Sequence, residues 1–248
     1  MQVFTIAIQK GGTAKTTTAA AIAQAAVYRG RKTLAIDLDP QGNLSFTLAA
    51  DTGRPGSYDL LQGTPAAELV QTVKPGLDVI PASWNLSTIT SGKGSARRLQ
   101  RAIEPLKGKY DVVVIDTPPT AGELQYNALQ AATGLIIPLQ ADIYNLQSLY
   151  QITDAARQIQ GSNPDLSITG FILTQYDRRS LIARQMKDTI IDRAAAMGVP
   201  YLGAIRAAVA VKEAAALQVS LFEYAPKSKP AADYLEIFDK ITEREAKQ

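Results

Sequence analysis

Short apolar runs recur along the chain at 3–8, 33–37, 77–80, 112–116, 135–139, 168–174 and 201–205, each dominated by aliphatic residues. Runs of that length with little polar alternation read as strands buried on both faces. Between them lie Ala-rich or amphipathic stretches, notably 15–29, 146–160 and 181–197, and Gly30 supplies a stop for the first of these. Strands alternating with helical patterns predict an α/β fold: a doubly wound, mostly parallel sheet with helices on both faces. Sheets of that kind bind ligands at the carboxyl ends of their strands. Segments 51–65 and 83–95 are rich in Gly, Pro and polar residues and read as irregular surface excursions. The stretch 231–247 places Tyr234, Leu235, Ile237, Phe238 and Ile241 at roughly helical spacing among acidic residues. This predicts a docked helix rather than a membrane anchor, whose polar face would carry Lys and Arg.

The 248 residues suit one α/β domain, 1–248, with a single developed core. No apolar run reaches the ~18 residues of a membrane span, and no charged leader precedes the first strand, so a cytoplasmic protein without a membrane partner is expected. Cysteine and histidine are both absent. That removes thiol nucleophiles, Ser-His-Asp machinery, imidazole or thiolate metal sites, iron–sulfur ligation and disulfides. Chemistry is left to Lys, Asp, Thr and a hard metal ion. A net charge of +3 permits nucleic-acid binding without requiring it.

The first apolar run leads directly into Gln9-Lys10-Gly11-Gly12-Thr13-Ala14-Lys15-Thr16-Thr17 and then into the first helix. Gly11 and Gly12 let the backbone bend tightly enough to aim successive N–H groups at phosphate oxygens. The helix start adds unpaired N–H groups and the positive end of its dipole. Lys15 is placed to reach the β- and γ-phosphates, and the Thr16 hydroxyl to ligate Mg²⁺. The usual G-x-x-x-x-G-K-[ST] pattern is broken at Gln9 and at Ala14. A residue with a Cβ tolerates positive φ poorly, so Ala14 predicts a cost to nucleotide affinity wherever the loop demands that geometry.

Two more strand ends carry carboxylates. Asp37 and Asp39, one residue apart in Asp37-Leu38-Asp39-Pro40-Gln41-Gly42-Asn43, point to one side of an extended chain, where paired carboxylates beside a triphosphate serve a metal or a water. Asp116, in Asp116-Thr117-Pro118-Pro119, ends an apolar run in the pattern that holds Mg²⁺ through its water shell.

These segments, together with Tyr110 through Pro119, Asn127 through Gln140, Leu173 through Arg178 and Tyr224 through Lys229, resemble the ParA/Soj partition ATPases of the deviant Walker A superfamily over nearly the whole chain. The resemblance implies a P-loop NTPase fold and an ATP-dependent homodimer that binds non-specific DNA. It also implies a ParB/Spo0J-like partner that stimulates hydrolysis, and a nucleoid-associated location. Carried over, residues Lys10, Gly11, Gly12, Thr13, Ala14, Lys15, Thr16 and Thr17 hold ATP, with Mg²⁺ on Thr16 and supported by Asp37 and Asp116. Lys10 would be the signature lysine that crosses the dimer interface to the other protomer's nucleotide, and Asp39 the residue that orients or activates the attacking water.

The chain departs from the family pattern at Ile8, where Asn is common, and at Ala210, where a DNA-contacting arginine is expected. Arg206 and Lys212 lie near Ala210, and Arg178, Arg179, Arg184, Lys187, Lys227 and Lys229 are further candidates for phosphate contacts. Two other readings share the loop and the carboxylates: a MinD-like ATPase of the membrane surface, and a nucleotide-binding scaffold without turnover. The Asp39-Pro40-Gln41-Gly42-Asn43 continuation and the missing basic amphipathic tail count against the first. A nitrogenase-reductase type of protein is set aside because its cluster needs cysteine.

Overall fold

The computed structural model describes residues 1–90, 92, 95–142 and 144–245. Eight strands form one sheet: β1 Gln2–Ile6, β2 Thr33–Asp37, β3 Gln71–Lys74, β4 Leu77–Ile80, β5 Val112–Asp116, β6 Gly134–Leu139, β7 Ser167–Tyr176 and β8 Tyr201–Arg206. Their order is β3-β4-β2-β5-β1-β6-β7-β8, parallel throughout except for β3, which runs antiparallel to β4 at one edge. This is the expected doubly wound α/β architecture.

Period-two alternation explains why both faces are covered. Phe4, Ile6, Val112 and Val114 enter one apolar cluster, with Ile22 of helix Lys15–Tyr28 and Tyr234, Ile237 and Phe238 of helix Lys229–Glu245. Val3, Leu34, Ile36, Val113 and Ile115 point the other way, beneath helices Ser57–Gln62, Arg98–Ile103 and Glu123–Ala131. Farther along the same side, Leu135, Ile137, Phe171 and Leu173 pack under helices Tyr144–Gln160 and Leu181–Ala196. A strand that buries both faces has no polar positions to spare, hence the continuous runs.

Helix Lys15–Tyr28 is built largely from Ala and Thr, and nine of its side chains are buried. Small side chains allow it to lie close to the sheet while a second helix covers it. Gly170 inside β7 serves a related purpose, since a Cβ there would collide with the Pro200 carbonyl oxygen.

The structure corrects several local expectations. Segment 51–65 is not wholly irregular, because helix Ser57–Gln62 forms within it and the Asp59 carboxylate accepts a hydrogen bond from the Gly56 amide at 2.9 Å. The 3-10 turn Trp84–Thr88 lies in segment 83–95 and a second, Ser95–Arg97, begins at its end; residues 91, 93 and 94 are outside the described residues. Stretch 231–247 is helical as expected through Glu245, and residues 246 and 247 are outside the described residues. Among the described residues no helix is long and apolar enough to cross a membrane.

Candidate active site

The carboxyl ends of β1, β2 and β5 lie side by side, and the β2–β5 register places Asp37 opposite Asp116. The loop after β1 closes over these ends. Gly12 adopts φ +76° and Ala14 φ +64°, ψ +36°, so Ala14 does occupy the left-handed region for which it is poorly suited. A Cβ added to Gly11 or Gly12 would meet no protein atom within 4 Å, which leaves the loop open on its outer side. Helix Lys15–Tyr28 begins at Ala14 with no side-chain cap and no acidic residue in its first turn. Its leading N–H groups are therefore available to an anion.

Lys15 is buried, and its ammonium donates to the Lys10 carbonyl oxygen at 2.8 Å. Burial lowers its pKa from the ordinary lysine value, while the charges of Asp116 and Asp39 work in the opposite direction. The loop is braced from outside its own sequence. Gln140 donates to the Gly12 carbonyl oxygen at 2.9 Å, and the Thr174 hydroxyl to the Thr13 carbonyl oxygen at 3.0 Å. Lys10 stands on the opposite shoulder, 3.6 Å from the Asp142 carboxylate and 6.0 Å from the centre of the Tyr144 ring.

The carboxylates divide into distinct roles. Asp37 accepts from the Asp39 amide at 3.1 Å and from the Ser45 amide and hydroxyl at 2.8 and 2.7 Å. Both of its oxygens accept hydrogen bonds from the loop that follows β2, so Asp37 shapes that loop from beneath the site. Burial lifts its pKa to about 6 against the opposing Ser45 hydrogen bonds, and the Asp39 charge adds to the rise. Asp116 is fully buried. Its Oδ1 accepts from the Thr117 amide, while its Oδ2 has no hydrogen-bond partner. Burial and then the nearby Asp37 charge push its pKa well above the usual carboxylate range, and Thr16 and Lys15 pull it back. Asp39 is 7% exposed at the mouth of the site.

An orphaned buried carboxylate oxygen beside a threonine hydroxyl suits a hard cation. Among the described residues no group of three or more carboxylates forms a cage. A divalent ion here would take few protein oxygens and complete its shell with water and phosphate, as Mg²⁺ does. Next to the loop, a cavity of about 340 Å³ is lined by Ala14, Thr17, Thr174, Gln175, Ala207 and Lys212, among others.

The basic candidates do not share one environment. Arg206 is tied to Asp233, its Nε donating at 2.9 Å, and also donates to the Lys229 carbonyl oxygen. It fastens β8 to helix Lys229–Glu245, so in this structure its guanidinium is engaged within the fold. Arg179 pairs with Asp177, and Lys187 with Asp188. Arg178, Arg184, Lys212, Lys227 and Lys229 are exposed.

Sequence reasoning missed Asp142, Gln140 and Thr174. Asp142 follows β6 as Asp39 follows β2, so the strand-end rule used for the other carboxylates would have found it.

A family model described as an AAA domain matches residues 1–168. The chain is 37% identical over 256 residues to the chromosome partitioning protein ParA of Caulobacter vibrioides, covering 99% of this chain and 95% of that protein. It is 34% identical to the chromosome-partitioning ATPase Soj of Thermus thermophilus, covering 96% and 94%. Among solved structures, cobyrinic acid a,c-diamide synthase from Mycobacterium smegmatis with a bound ATP analogue and magnesium matches at a TM-score of 0.83 and 32% identity, covering 96% of this chain and 93% of that one.

Proposed function

The chain belongs to the ParA/Soj family of partition ATPases, and on that premise we propose that it is a DNA-partition switch whose turnover depends on a second copy of itself. It hydrolyses ATP and uses Mg²⁺. ATP closes a homodimer on non-specific DNA at the nucleoid of the cytoplasm, a ParB-like partner stimulates hydrolysis, and hydrolysis releases the dimer. One domain, 1–248, carries all of this.

The observation that carries the reading is the pair of lysines on one loop. Lys15 faces inward among Asp39 and Asp116, whereas Lys10 is held outward by Asp142. This difference supports a reading in which Lys15 serves the protomer's own phosphates and Lys10 those of a facing molecule.

Phosphoryl transfer needs positioning and charge neutralisation more than covalent chemistry. The loop amides after Gly11 cradle the triphosphate, Lys15 leaves the Lys10 carbonyl to bind phosphate oxygens, and the 340 Å³ cavity takes the base and ribose. The Thr16 hydroxyl and the free oxygen of Asp116 are the groups that would hold Mg²⁺, which would supply charge neutralisation at the phosphates. Asp39 orients the attacking water, and Asp37 fixes the loop that carries Asp39.

Lys10→Ala tests the reading. Steady-state phosphate release should fall to background in the presence of DNA, while binding of a fluorescent ATP analogue by the monomer stays within about threefold. Equal loss of both would show that Lys10 serves its own protomer's nucleotide.

A further inference from the structure

A second concavity lies at the other end of the sheet. Its volume is about 520 Å³, and it is walled by the end of helix Ser57–Gln62, the turn at Gly63 and Pro65, helix Arg98–Ile103 and the 3-10 turn Glu104–Leu106. Lys109, on its rim, precedes the amino end of β5, whereas Asp116 of the active site stands at the carboxyl end of that strand. The groove therefore takes no part in nucleotide chemistry.

Its floor is aliphatic, formed by Leu60, Leu61, Ala66 and Leu106. Its rim carries Arg98, Arg101 and Lys109, and among the described residues no Asp or Glu side chain lines it. Among the described residues none of these three cations has a carboxylate partner, although Lys107 close by is paired with Glu104 at 2.8 Å. Arg98 and Arg101, three apart on one helix, lie on one face.

We propose that this groove docks an acidic amphipathic segment of a partner protein, with an apolar side chain on the aliphatic floor and carboxylates against Arg98, Arg101 and Lys109. Charge complementarity commits the site to an anionic occupant, and arginine clusters recognise acidic motifs through forked, charge-assisted hydrogen bonds. The apolar concave floor favours a protein segment over nucleic acid, whose backbone rewards cations on an open polar surface. Walls set by the Gly63 turn, where φ is +105°, and by Pro105 make the groove preformed, which limits the ordering cost of binding.

The test is a displayed library of random short peptides, selected on the full chain and in parallel on the Arg98→Glu/Arg101→Glu variant. Thermal unfolding and nucleotide binding should be the same for both proteins. The expected result is enrichment, on the wild type alone, of peptides that place Asp or Glu around a Leu, Ile or Phe. Resynthesised peptides should bind the variant at least about tenfold more weakly. Peptides without acidic enrichment, or with equal affinity for the variant, would overturn the proposal. So would a duplex DNA shift that weakens in the variant while no acidic peptide is enriched, which would make the groove a nucleic-acid contact.

Discussion

The Lys15 ammonium is hydrogen-bonded to the carbonyl oxygen of Lys10 within the same loop. A buried cation with one such partner among the described residues, flanked by Asp39 and Asp116, is held ready for a phosphate oxygen that offers full charge compensation. Lys15→Gln should therefore weaken ATP binding by about a hundredfold, the upper part of the range for a charge-assisted hydrogen bond. Titration calorimetry with Mg²⁺ and ATP measures this. Affinity within threefold of wild type would remove Lys15 from the phosphate site.

Ala14 sits at φ +64° in the position where the usual loop has glycine. The left-handed region costs an L-residue roughly 1–2 kcal/mol, and glycine loses about 0.5–1 kcal/mol more backbone entropy on folding. Ala14→Gly should thus be neutral to stabilising by up to about 1.5 kcal/mol, and should raise nucleotide affinity. Ala14→Val, β-branched in the same geometry, should lower both. Thermal unfolding with and without ATP reads the two effects, and a destabilised glycine variant would mean that the loop is not strained at this position.

Legibility of the fold followed the physics of burial. The strands at 33–37, 77–80 and 112–116 coincide with their apolar runs because each is covered on both faces. Strand β3 escaped notice because Gln71-Thr72-Val73-Lys74 is an edge strand with a single neighbour, where polar residues are tolerated. Helix Glu123–Ala131 was hidden by buried polar side chains with distant partners. Asn127 accepts from the Leu99 amide, and Gln130 donates to the Ser162 carbonyl oxygen. The site divides in the same way. Lys10, Lys15, Asp37, Asp39 and Asp116 announce themselves at strand ends, whereas Gln140 and Thr174 act on loop carbonyls more than a hundred residues away. The Arg206 ion pair was not legible because its partner Asp233 lies on another element.

Asp37 and Asp116, register partners on adjacent strands, give the nucleotide-free protein an acid-side stability gain. Unfolded carboxylates titrate near 3.9, and the folded pKa is about 6 for Asp37 and raised well above the ordinary value for Asp116. The folded state then binds more protons than the unfolded state within that window. Stability contributed by Asp37 is fully present below about pH 4 and is lost as pH rises through about 6, and that contributed by Asp116 is lost in the same direction. Asp116→Asn keeps the shape without the charge. It should raise Tm at pH 8 by a few degrees, at about 2–4 °C per kcal/mol, and flatten the slope of stability between pH 4 and 8, while abolishing hydrolysis. Calorimetric scans without Mg²⁺ across that range decide it; a Tm unchanged at pH 8 would mean that the buried pair costs the free protein nothing.

The basic residues separate into those that hold the fold and those free to meet DNA. Arg206 is engaged by Asp233 and by the Lys229 carbonyl oxygen, so Arg206→Ala and Asp233→Asn should each cost about 1–3 kcal/mol of stability. Asp233→Asn should leave the salt dependence of DNA binding unaltered. Arg184 and Lys212 are exposed and outside every ion pair among the described residues. Changing either to Glu should leave Tm within about 1 °C of wild type but weaken the ATP-bound protein's affinity for non-specific duplex. If each makes one phosphate contact, the plot of log affinity against log salt should flatten by about 0.9 per residue removed. Fluorescence anisotropy over a salt series supplies the slope. A slope unchanged in both glutamate variants but reduced in Arg206→Ala would return the DNA contact to Arg206 and make its bond to Asp233 a resting position rather than a permanent one.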